Sequence, residues 1–392
     1  MNLPTGYRYA ATYAGIRKDA RDDLGLIVSD VPAAAVAVFT KNRVQAAPVR
    51  LARAHLEKSR GVVRAVLVNA GNANCATRTG DAVAETCCDA AAAQLGVPSE
   101  QILPSSTGVI GVELDASLIT DKVPGLVGAL SADRFDDVAL AILTTDTRMK
   151  TASATVEIGG KVVRIAGMTK GSGMIHPNMA TTLGFIMTDA AVPRAVLQAM
   201  LNEAVALSYN RISVDGDTST NDTLLLMANG ASGVQLDSDS RACFQRALNS
   251  VAGSLAEQIV RDGEGAQKLI RIEVAGAADE ESAVRIARSI ANSPLFKTAI
   301  AGSDPNWGRI LSAAGNSGVE FDPSRVAIWI QDTAVCRDGF AADFSEEELK
   351  RKLDEPECMV RFVIDGPGCG DARFLTCDLT EKYIEINASY RT

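Results

Sequence analysis

Short apolar, β-prone runs recur along the chain and predict a protein rich in sheet. Each run is dominated by valine, isoleucine and leucine, and β-branched residues in particular pack well on a pleated surface. Residues 154–165 alternate and turn at Gly159-Gly160, which predicts a β-hairpin. The other predicted strands are residues 24–28, 36–39, 62–68, 223–227, 269–274, 326–330, 359–364 and 383–386.

A helical period interrupts these runs. Steps of three and four residues place one apolar stripe on a helix, formed by Phe244, Leu248, Val251, Leu255 and Ile259. We expect this helix to end at Asp262-Gly263, because glycine is common just past a helix end. Further helices are predicted after Pro193, across residues 81–95 before Gly96, and after Ser345, which forms a capping-box pattern with Glu348.

This mixture of strands and helices predicts an α/β layered architecture. The strands and helices do not alternate regularly, and a hairpin is present, so a plain Rossmann sheet is not favoured. A chain of 392 residues exceeds what one hydrophobic core usually supports, and we expect two domains or two lobes. The sequence contains neither an internal repeat nor a low-complexity linker to mark a boundary.

Composition and charge argue against several classes of function. A net charge of −9 and the absence of a long basic run argue against nucleic acid as a partner. No apolar stretch is long enough to span a bilayer, and no secretory signal is visible, so we expect a cytoplasmic protein without a membrane partner. With two histidines and no C-x-x-C pair among eight cysteines, a metal site is not expected.

The most informative stretch is residues 168–189, MTKGSGMIHPNMATTLGFIMTD. Gly171 and Gly173 permit backbone conformations that other residues avoid, and Pro177 fixes its own φ. An apolar, β-prone run follows the pair Thr181-Thr182 directly. A loop that contains two glycines and a proline thus leads into a strand that begins with a hydroxyl residue. Intramolecular self-cleavage needs this arrangement.

Such a cleavage would leave Thr181 as a new N-terminal residue. Its hydroxyl would first attack the carbonyl of Ala180, and water would then open the resulting ester. The freed α-amine titrates near pH 7.7–8.0 in model compounds, and a threonine beside its own terminal amine is an activated nucleophile. A Thr-Thr pair also begins many ordinary strands, since β-branched residues belong there. The loop by itself leaves both interpretations open.

Ordered blocks across the whole chain resemble the ornithine acetyltransferase family, the glutamate N-acetyltransferases of the acetylated arginine pathway. The loop KGSGMIHPNMAT is similar to the family's segment before its cleavage site. Further matching blocks are GIRKDARDDLGLIVSD, VFTKNRVQAAPV, NAGNANCATRTG, SSTGVIG, TTDT, SVDGDTSTND, DGEGAQKLI, GSDPNWGRI and CDLTEKYIEINASYRT.

The resemblance implies a role for each aligned residue. Thr181 corresponds to the nucleophile, Ala180 to the residue on the other side of the cut, and Thr107 with Gly108 to the oxyanion hole. The residues implied in substrate binding are Thr147, Lys170, Thr181, Glu264, Asn387 and Thr392. We hypothesise that Lys170 meets the α-carboxylate of an N-acetylated amino acid and that Glu264 meets a distal ammonium. Without the resemblance, these positions would be interpreted as turn or solvated loop residues.

The family fold implied is a layered α/β sandwich with mixed sheets covered by helices. It is built from residues 1–180 and 181–392, which stay associated as a heterotetramer of two pieces of each kind. The reaction implied moves an acetyl group from N²-acetylornithine to glutamate through an ester on Thr181, without metal or dissociable cofactor. Whether acetyl-CoA also serves as donor stays open. The alternatives are a self-processing amidase or aminopeptidase, in which water takes the acyl group, and a non-enzymatic assembly protein.

Two further motifs are discounted, and three positions depart from the family pattern. Asp215-Gly216-Asp217 resembles part of a calcium loop, but the bidentate glutamate is missing. The repeat Gly366-x-Gly368-x-Gly370 lacks the spacing of a dinucleotide-binding fingerprint. The departures, none of which removes an implied catalytic group, are His176, Thr182 and Gln267.

Overall fold

A computed structural model describes residues 1–176 and 182–389. Its strands are β1 (Tyr7–Thr12), β2 (Leu24–Phe39), β3 (Val62–Asn72), β4 (Ile102–Val109), β5 (Lys150–Ile158), β6 (Lys161–Lys170), β7 (Leu183–Thr188), β8 (Thr223–Ala228), β9 (Leu269–Ala277), β10 (Val326–Ile330), β11 (Thr333–Arg337), β12 (Phe340–Ala341), β13 (Glu357–Ile364) and β14 (Gly370–Cys377). Its helices are α1 (Ala47–Lys58), α2 (Gly80–Leu95), α3 (Ser117–Thr120), α4 (Val123–Gly128), α5 (Phe135–Ala141), α6 (Arg194–Leu207), α7 (Ser238–Arg261), α8 (Glu280–Ala291), α9 (Pro294–Ala301), α10 (Trp307–Gly315), α11 (Glu346–Leu353) and α12 (Glu381–Ser389).

The larger sheet is mixed, with strand order β4-β3-β2-β8-β7-β6-β5 and β1 paired to β2. The pairs β3–β4 and β7–β8 are parallel, and the other pairs are antiparallel. Every residue of β7 and of β8 is buried, because helices cover both faces of the sheet at its centre. Central strands buried on both faces are continuous apolar runs rather than alternating ones, as these two are.

The helices α6 and α7 cover one face of this sheet. The predicted apolar stripe of α7 lies in the core there, with each of its side chains at most 2% exposed. Burying such a side chain stabilises the fold by roughly 1.5–3 kcal/mol. On the other face, α1 and α5 contribute Val49, Ala52, Phe135 and Val138 to a second core. The result is a helix–sheet–helix sandwich.

The smaller sheet has strand order β12-β11-β10-β13-β9-β14 and a core of its own. The helix α8 packs there with Ile286 and Ile290 against Ile272 and Val274 of β9. The predicted layered α/β sandwich with mixed sheets is confirmed. Among the described residues, no helix is both long and apolar enough to cross a bilayer.

Most predicted elements are present. The hairpin is formed by β5 and β6, with Ile158 opposite Lys161 around the glycine pair. The helix α2 ends before Gly96 with φ of 66°, and the hydroxyl of Ser345 accepts the N–H of Glu348 at the start of α11. The helix predicted to stop near Asp262 spans Ser238–Arg261.

The strand predicted at residues 383–386 is wrong, because these residues lie in the helix α12. A run of four residues, of which Tyr383, Ile384 and Ile386 are apolar or β-prone, is too short for its periodicity to distinguish a strand from a helix. The helical spacing places Tyr383 and Asn387 one turn apart, and Ile384 points away from the protein at 68% exposure. That arrangement is what brings the end of the chain to the cavity described next.

Candidate active site

A polar cavity of about 240 Å³ opens where the ends of β4, β6 and β8 meet the loop after α7 and the helix α12. Among the described residues, its walls consist of backbone-exposing glycines, hydroxyl side chains and charged groups of both signs. These residues are Ala73, Thr107, Gly108, Ile110, Thr144, Thr145, Lys170, Gly171, Gly173, Met174, Thr182, Leu183, Asp215, Asp217, Ser219, Thr220, Asn221, Asp222, Glu264, Tyr383 and Asn387.

One wall is the end of β4, where Thr107 and Gly108 lie beside β3. Gly108 has φ of +132°, and a Cβ placed there would lie 2.2 Å from the backbone carbon of Gly71. Only glycine therefore fits. The Nζ of Lys170 donates to the Oγ1 of Thr107 at 3.2 Å, which leaves the hydroxyl hydrogen of Thr107 available to another acceptor. A Thr-Gly pair in this state can direct a hydroxyl at a developing oxyanion.

Lys170 is the last residue of β6, and its side chain is buried. Burial lowers the pKa of Lys170, and the negative charge of Asp146 opposes that shift. Burial alone would raise the pKa of Asp146, but the charges of Lys170 and Lys150, with further hydrogen bonds, hold it at about 2. The charge of Asp146 thus favours the protonated form of Lys170, whose Nζ contacts Thr107.

A fully buried ion-pair network supports this wall. The Nζ of Lys150 lies 2.5 Å from the Oδ1 of Asp146 and 2.5 Å from the Oδ2 of Asp262. Asp146 also accepts the N–H of Gly171 at 2.7 Å. Removing one partner from such a network leaves an uncompensated buried charge, which costs about 3–5 kcal/mol. The network thus fixes the backbone that carries Lys170.

Thr147 belongs to this network rather than to the cavity wall. Its N–H donates to the Oδ2 of Asp262 at 3.0 Å, and its hydroxyl donates to the Oδ1 of the same residue. Its neighbours Thr144 and Thr145 line the cavity. The contact with substrate predicted for Thr147 stays a prediction, because in this structure its polar groups are directed to Asp262.

A second wall joins Glu264 to α12. The Nδ2 of Asn387 donates to the Oε2 of Glu264 at 2.8 Å. A Cβ on Gly173 would lie 2.4 Å from the Glu264 carboxyl, and a Cβ on Gly265 would lie 2.6 Å from the Tyr383 nitrogen. Gly265, with φ of +72° and a backbone neighbour, must therefore be glycine, whereas at Gly173 the close atoms are the end of a side chain that can move. The described part of α12 is docked against the loop that carries Glu264.

Asp215 organises the edge of the cavity formed by the loop that follows β6. Its carboxyl oxygens accept the N–H groups of Met174 at 2.6 Å, Ile175 at 2.8 Å and Asp217 at 3.1 Å. Burial raises the pKa of Asp215, and these three hydrogen bonds act in the opposite direction, as they favour the ionised form. Among the described residues, no group of three or more histidine, cysteine or acidic side chains is arranged to hold a metal ion.

The cavity brings together five of the predicted site residues, namely Thr107, Gly108, Lys170, Glu264 and Asn387. Lys170 and Glu264 bring charges of opposite sign to the same cavity, and the N–H of Glu264 donates to the carbonyl of Ser172 at 3.0 Å, two residues after Lys170. The predictions for Ala180, Thr181 and Thr392 concern positions outside the described residues. Thr182, which is bonded to Thr181, lines the cavity.

Sequence reasoning missed the cavity roles of Asp215, Asp222 and Tyr383. The block SVDGDTSTND contains both aspartates, and its resemblance to the family was the available signal. The spacing of Asp215-Gly216-Asp217 indicates only an incomplete calcium loop. Tyr383 was assigned to a strand, which gave no reason to place it beside Glu264.

Comparison with known proteins identifies relatives along the full chain. Residues 8–392 match the ArgJ family. A Thermus thermophilus protein named "Arginine biosynthesis bifunctional protein ArgJ" is 48% identical over 394 residues, covering 100% of both chains. The protein of that name from Nitratidesulfovibrio vulgaris is 43% identical over 390 residues, covering 99% of each. A crystal structure of the Bacillus halodurans protein of that name has a TM-score of 0.51 at 41% identity, and the alignment covers 53% of this chain and 98% of the solved one.

Proposed function

The chain belongs to the ArgJ family, and from this premise we propose that it transfers the acetyl group of N²-acetylornithine to glutamate through an ester on Thr181. Family membership makes it an acyltransferase of arginine biosynthesis. The observation that carries the proposal is that Thr107, Gly108, Lys170 and Glu264 line one polar cavity. The cavity thus combines candidate oxyanion donors with two charges of opposite sign.

The substrate fits these charges. An N-acetylated ornithine has an α-carboxylate near its acetamide and an ammonium at the far end of its side chain. Lys170 would bind the carboxylate, and Glu264, oriented by Asn387, would bind the ammonium. Such charge-assisted hydrogen bonds are stronger than neutral ones and set the direction in which the substrate enters.

The proposed chemistry has two half-reactions. Thr181 Oγ attacks the acetyl carbonyl, its proton passes to the Thr181 α-amine, and the hydroxyl of Thr107 and the N–H of Gly108 stabilise the oxyanion. The C–N bond then breaks, and ornithine leaves with that proton. Glutamate's amine attacks the acetyl ester in the same way and regenerates the Thr181 hydroxyl. Loss of one oxyanion donor typically costs about 3–4 kcal/mol of barrier.

We also propose that residues 1–180 and 181–392 stay together after the cut. The larger sheet alternates between the two pieces, because β2 pairs with β8 and β6 pairs with β7. Nearly all of the solved Bacillus halodurans chain aligns with 53% of this chain, and residues 181–392 make up about 54% of this chain. The agreement of these two fractions supports a relative that consists of two pieces. We further propose that two pieces of each kind form a heterotetramer, and that this heterotetramer is located in the cytoplasm.

The first experiment is a denaturing gel of the purified protein, followed by N-terminal sequencing. The proposal expects two pieces, one beginning at Thr181, and an acetylated Thr181 by mass spectrometry after incubation with N²-acetylornithine. Thr181→Ala abolishes both the cut and turnover, whereas Thr182→Ser keeps both and serves as the neighbouring control. A Thr181→Ala protein that turned over at the normal rate would refute the nucleophile assignment.

A second measurement separates a transferase from a hydrolase. With N²-acetylornithine and glutamate, the products are N-acetylglutamate and ornithine; a yield dominated by free acetate would overturn the transferase assignment. The word "bifunctional" in the names of the relatives supports a further proposal, that acetyl-CoA also donates to Thr181. Acetyl-CoA and glutamate without acetylornithine test this directly through N-acetylglutamate formation.

A further inference from the structure

The two residues of the oxyanion hole, Thr107 and Gly108, lie where the larger sheet gives them little support. Their strand, β4, is at the edge of this sheet, and β3 is its only strand neighbour among the described residues. The register of the pair β3–β4 shifts at Gly71 and Asn72, where Asn72 is paired with both Thr107 and Val109. Such a shift interrupts the regular ladder of backbone hydrogen bonds. The ladder alone therefore does not fix the backbone around residues 107 and 108.

Asn221, in the loop before β8, supplies further support. Its side chain is buried, and its Nδ2 donates to the carbonyl of Ser106 at 2.8 Å and to the carbonyl of Ala73 at 2.6 Å. The N–H of Ala73 donates in turn to the carbonyl of Val109 at 2.9 Å. Ser106 precedes the oxyanion-hole pair, and Val109 follows it. The pair therefore lies inside a hydrogen-bonded ring that the Asn221 amide closes.

The orientation of this amide is determined by its partners. Carbonyl oxygens only accept, so the end of the amide that faces Ser106 and Ala73 is its NH₂ group. The Oδ1 at the other end accepts the hydroxyl of Thr220 at 2.6 Å. Both donors of Asn221 are thus used by backbone carbonyls, and its acceptor is used by a neighbouring hydroxyl.

The loop that carries Asn221 is also anchored by its own backbone. The N–H of Thr40 donates to the carbonyl of Asp222 at 3.0 Å. On the other side of Asn221, the N–H of Ala46 donates to the carbonyl of Thr220 at 3.1 Å. Because neither bond involves the Asn221 side chain, a substitution there should leave the loop in place and open only the hydrogen-bonded ring.

The position of the ring matters for the chemistry. An oxyanion hole is effective only when its donors are in place before the negative charge develops. The carbonyl of Ser106 belongs to the peptide group that leads into Thr107, so its bond to Asn221 fixes the plane of that peptide. The N–H of Gly108 belongs to the next peptide group along the strand. Movement of the first peptide would therefore displace both oxyanion donors.

We propose that Asn221 is a positioning residue that holds Thr107 and Gly108 in the geometry of the oxyanion hole. The proposal rests on the proposed function, because it assumes that these two residues stabilise the oxyanion. Asn221 acts through the carbonyls of Ser106 and Ala73 rather than on the substrate. The support also crosses the proposed cut, since Asn221 belongs to residues 181–392 and the oxyanion hole belongs to residues 1–180.

The first test measures kcat and KM for acetyl transfer by protein that has already been cut. Asn221→Asp keeps the shape of the side chain but replaces the NH₂ group by an oxygen, which repels the carbonyls of Ser106 and Ala73. We expect kcat to fall by about 10²-fold, the effect of misplacing a reacting group by about 1 Å. KM for N²-acetylornithine should stay within about threefold of wild type, because Lys170 and Glu264 are unchanged.

Asn229 offers a matched control at the other end of β8. It is 8% exposed, compared with 6% for Asn221, and its Nδ2 also donates to two backbone carbonyls, those of Thr5 at 2.9 Å and Gly6 at 3.2 Å. Asn229 is not among the described residues that line the cavity. Asn229→Asp therefore makes the same chemical change in a similar environment, and we expect kcat within about twofold of wild type.

Hydrogen exchange measured by mass spectrometry provides a second readout, which needs no activity. Backbone N–H groups exchange faster where the structure opens more readily, and we expect a peptide covering residues 105–110 to exchange at least about tenfold faster in Asn221→Asp than in wild type. A peptide covering residues 62–68 of β3 should change by less than about twofold. The measurement applies equally to cut and uncut protein.

Three results would overturn the proposal: an Asn221→Asp enzyme with kcat within about threefold of wild type, unchanged exchange of residues 105–110, or an equal fall in kcat for Asn229→Asp. The last result would mean that any buried amide of this kind has the same effect. Cut wild-type protein that forms no N-acetylglutamate from N²-acetylornithine and glutamate would instead refute the proposed function. Hydrogen exchange would still report on the ring in that case, so the two failures are distinguishable.

Discussion

The two walls of the cavity are built in different ways. The wall with Thr107, Gly108 and Lys170 is part of the buried sheet and is supported by the ion pairs of Lys150. The wall with Glu264 and Asn387 depends on α12, a helix without a buried residue in its described part. The groups assigned to the chemistry are thus held by the core. Of the two assigned to the far end of the substrate, Glu264 is buried and its N–H donates to the carbonyl of Ser172, whereas Asn387 lies on a surface helix. We expect substitutions on the first wall to change kcat and those on the second to change KM.

The largest expected effect is that of Gly108→Ala. The new Cβ would collide with the backbone of Gly71 at a φ that favours glycine, so the N–H of residue 108 moves away from the oxyanion. We expect kcat for acetyl transfer to fall by about 10²–10³-fold, measured on protein that has already been cut. Gly111→Ala is the matched control, since Gly111 also has positive φ but open space around it. A Gly108→Ala enzyme with normal kcat would contradict the contrast between the walls.

A smaller effect is expected for Asn387→Ala on the other wall. The substitution removes the donor that orients Glu264, at the partly open end of the cavity. We expect KM for N²-acetylornithine to rise by about tenfold, equivalent to about 1.4 kcal/mol, with kcat within about twofold of wild type. Ser389→Ala on the same helix should leave both constants unchanged. A fall in kcat without a change in KM would show that α12 contributes to the chemistry after all.

A third effect concerns stability at low pH and reports on the core-held wall. The pKa of Asp146 in the folded protein is about 2, below the value of about 3.9 in an unfolded chain. Its ionised form therefore stabilises the fold above pH 4 by roughly 2 kcal/mol, and this contribution disappears as pH falls from about 4 to 2.

Urea unfolding at several pH values measures this contribution. The difference in unfolding free energy between wild type and Asp146→Asn should shrink over that interval, whereas Asp121→Asn, at an exposed position, should show no comparable difference at any pH. A difference that stayed constant from pH 5 to 2 would exclude the proposed charge state of Asp146.

Elements whose structure depends on neighbouring residues were predicted well from the sequence. Elements whose structure depends on contacts with residues far along the chain were missed. The β5–β6 hairpin was predictable because its glycine pair and alternating residues are adjacent in sequence. The family predicted from the ordered blocks is confirmed by the comparisons. The run at residues 383–386 was misassigned because its conformation depends on docking against Gly265, more than a hundred residues earlier.

The site was predictable only in part for the same reason. The resemblance placed five residues in what proved to be one cavity. The significance of Asn221 depends on its hydrogen bonds to Ala73 and Ser106, more than a hundred residues earlier, and these contacts cannot be derived from the residues around it. Charge, by contrast, was informative from sequence, since Lys170 and Glu264 both line the cavity, although their separate roles stay a prediction.

The antiparallel pair β6–β7 flanks the proposed cut, with Lys170 opposite Leu183 and Ile165 opposite Thr188. Cutting between them leaves this register intact but changes the molecularity of assembly. An uncut chain refolds in a first-order process, because both strands belong to one polymer. After the cut, the same two strands must find each other by diffusion, so recovery from urea becomes dependent on protein concentration. Maturation would then preserve the native fold but remove the covalent link that held the two strands together when the chain first folded.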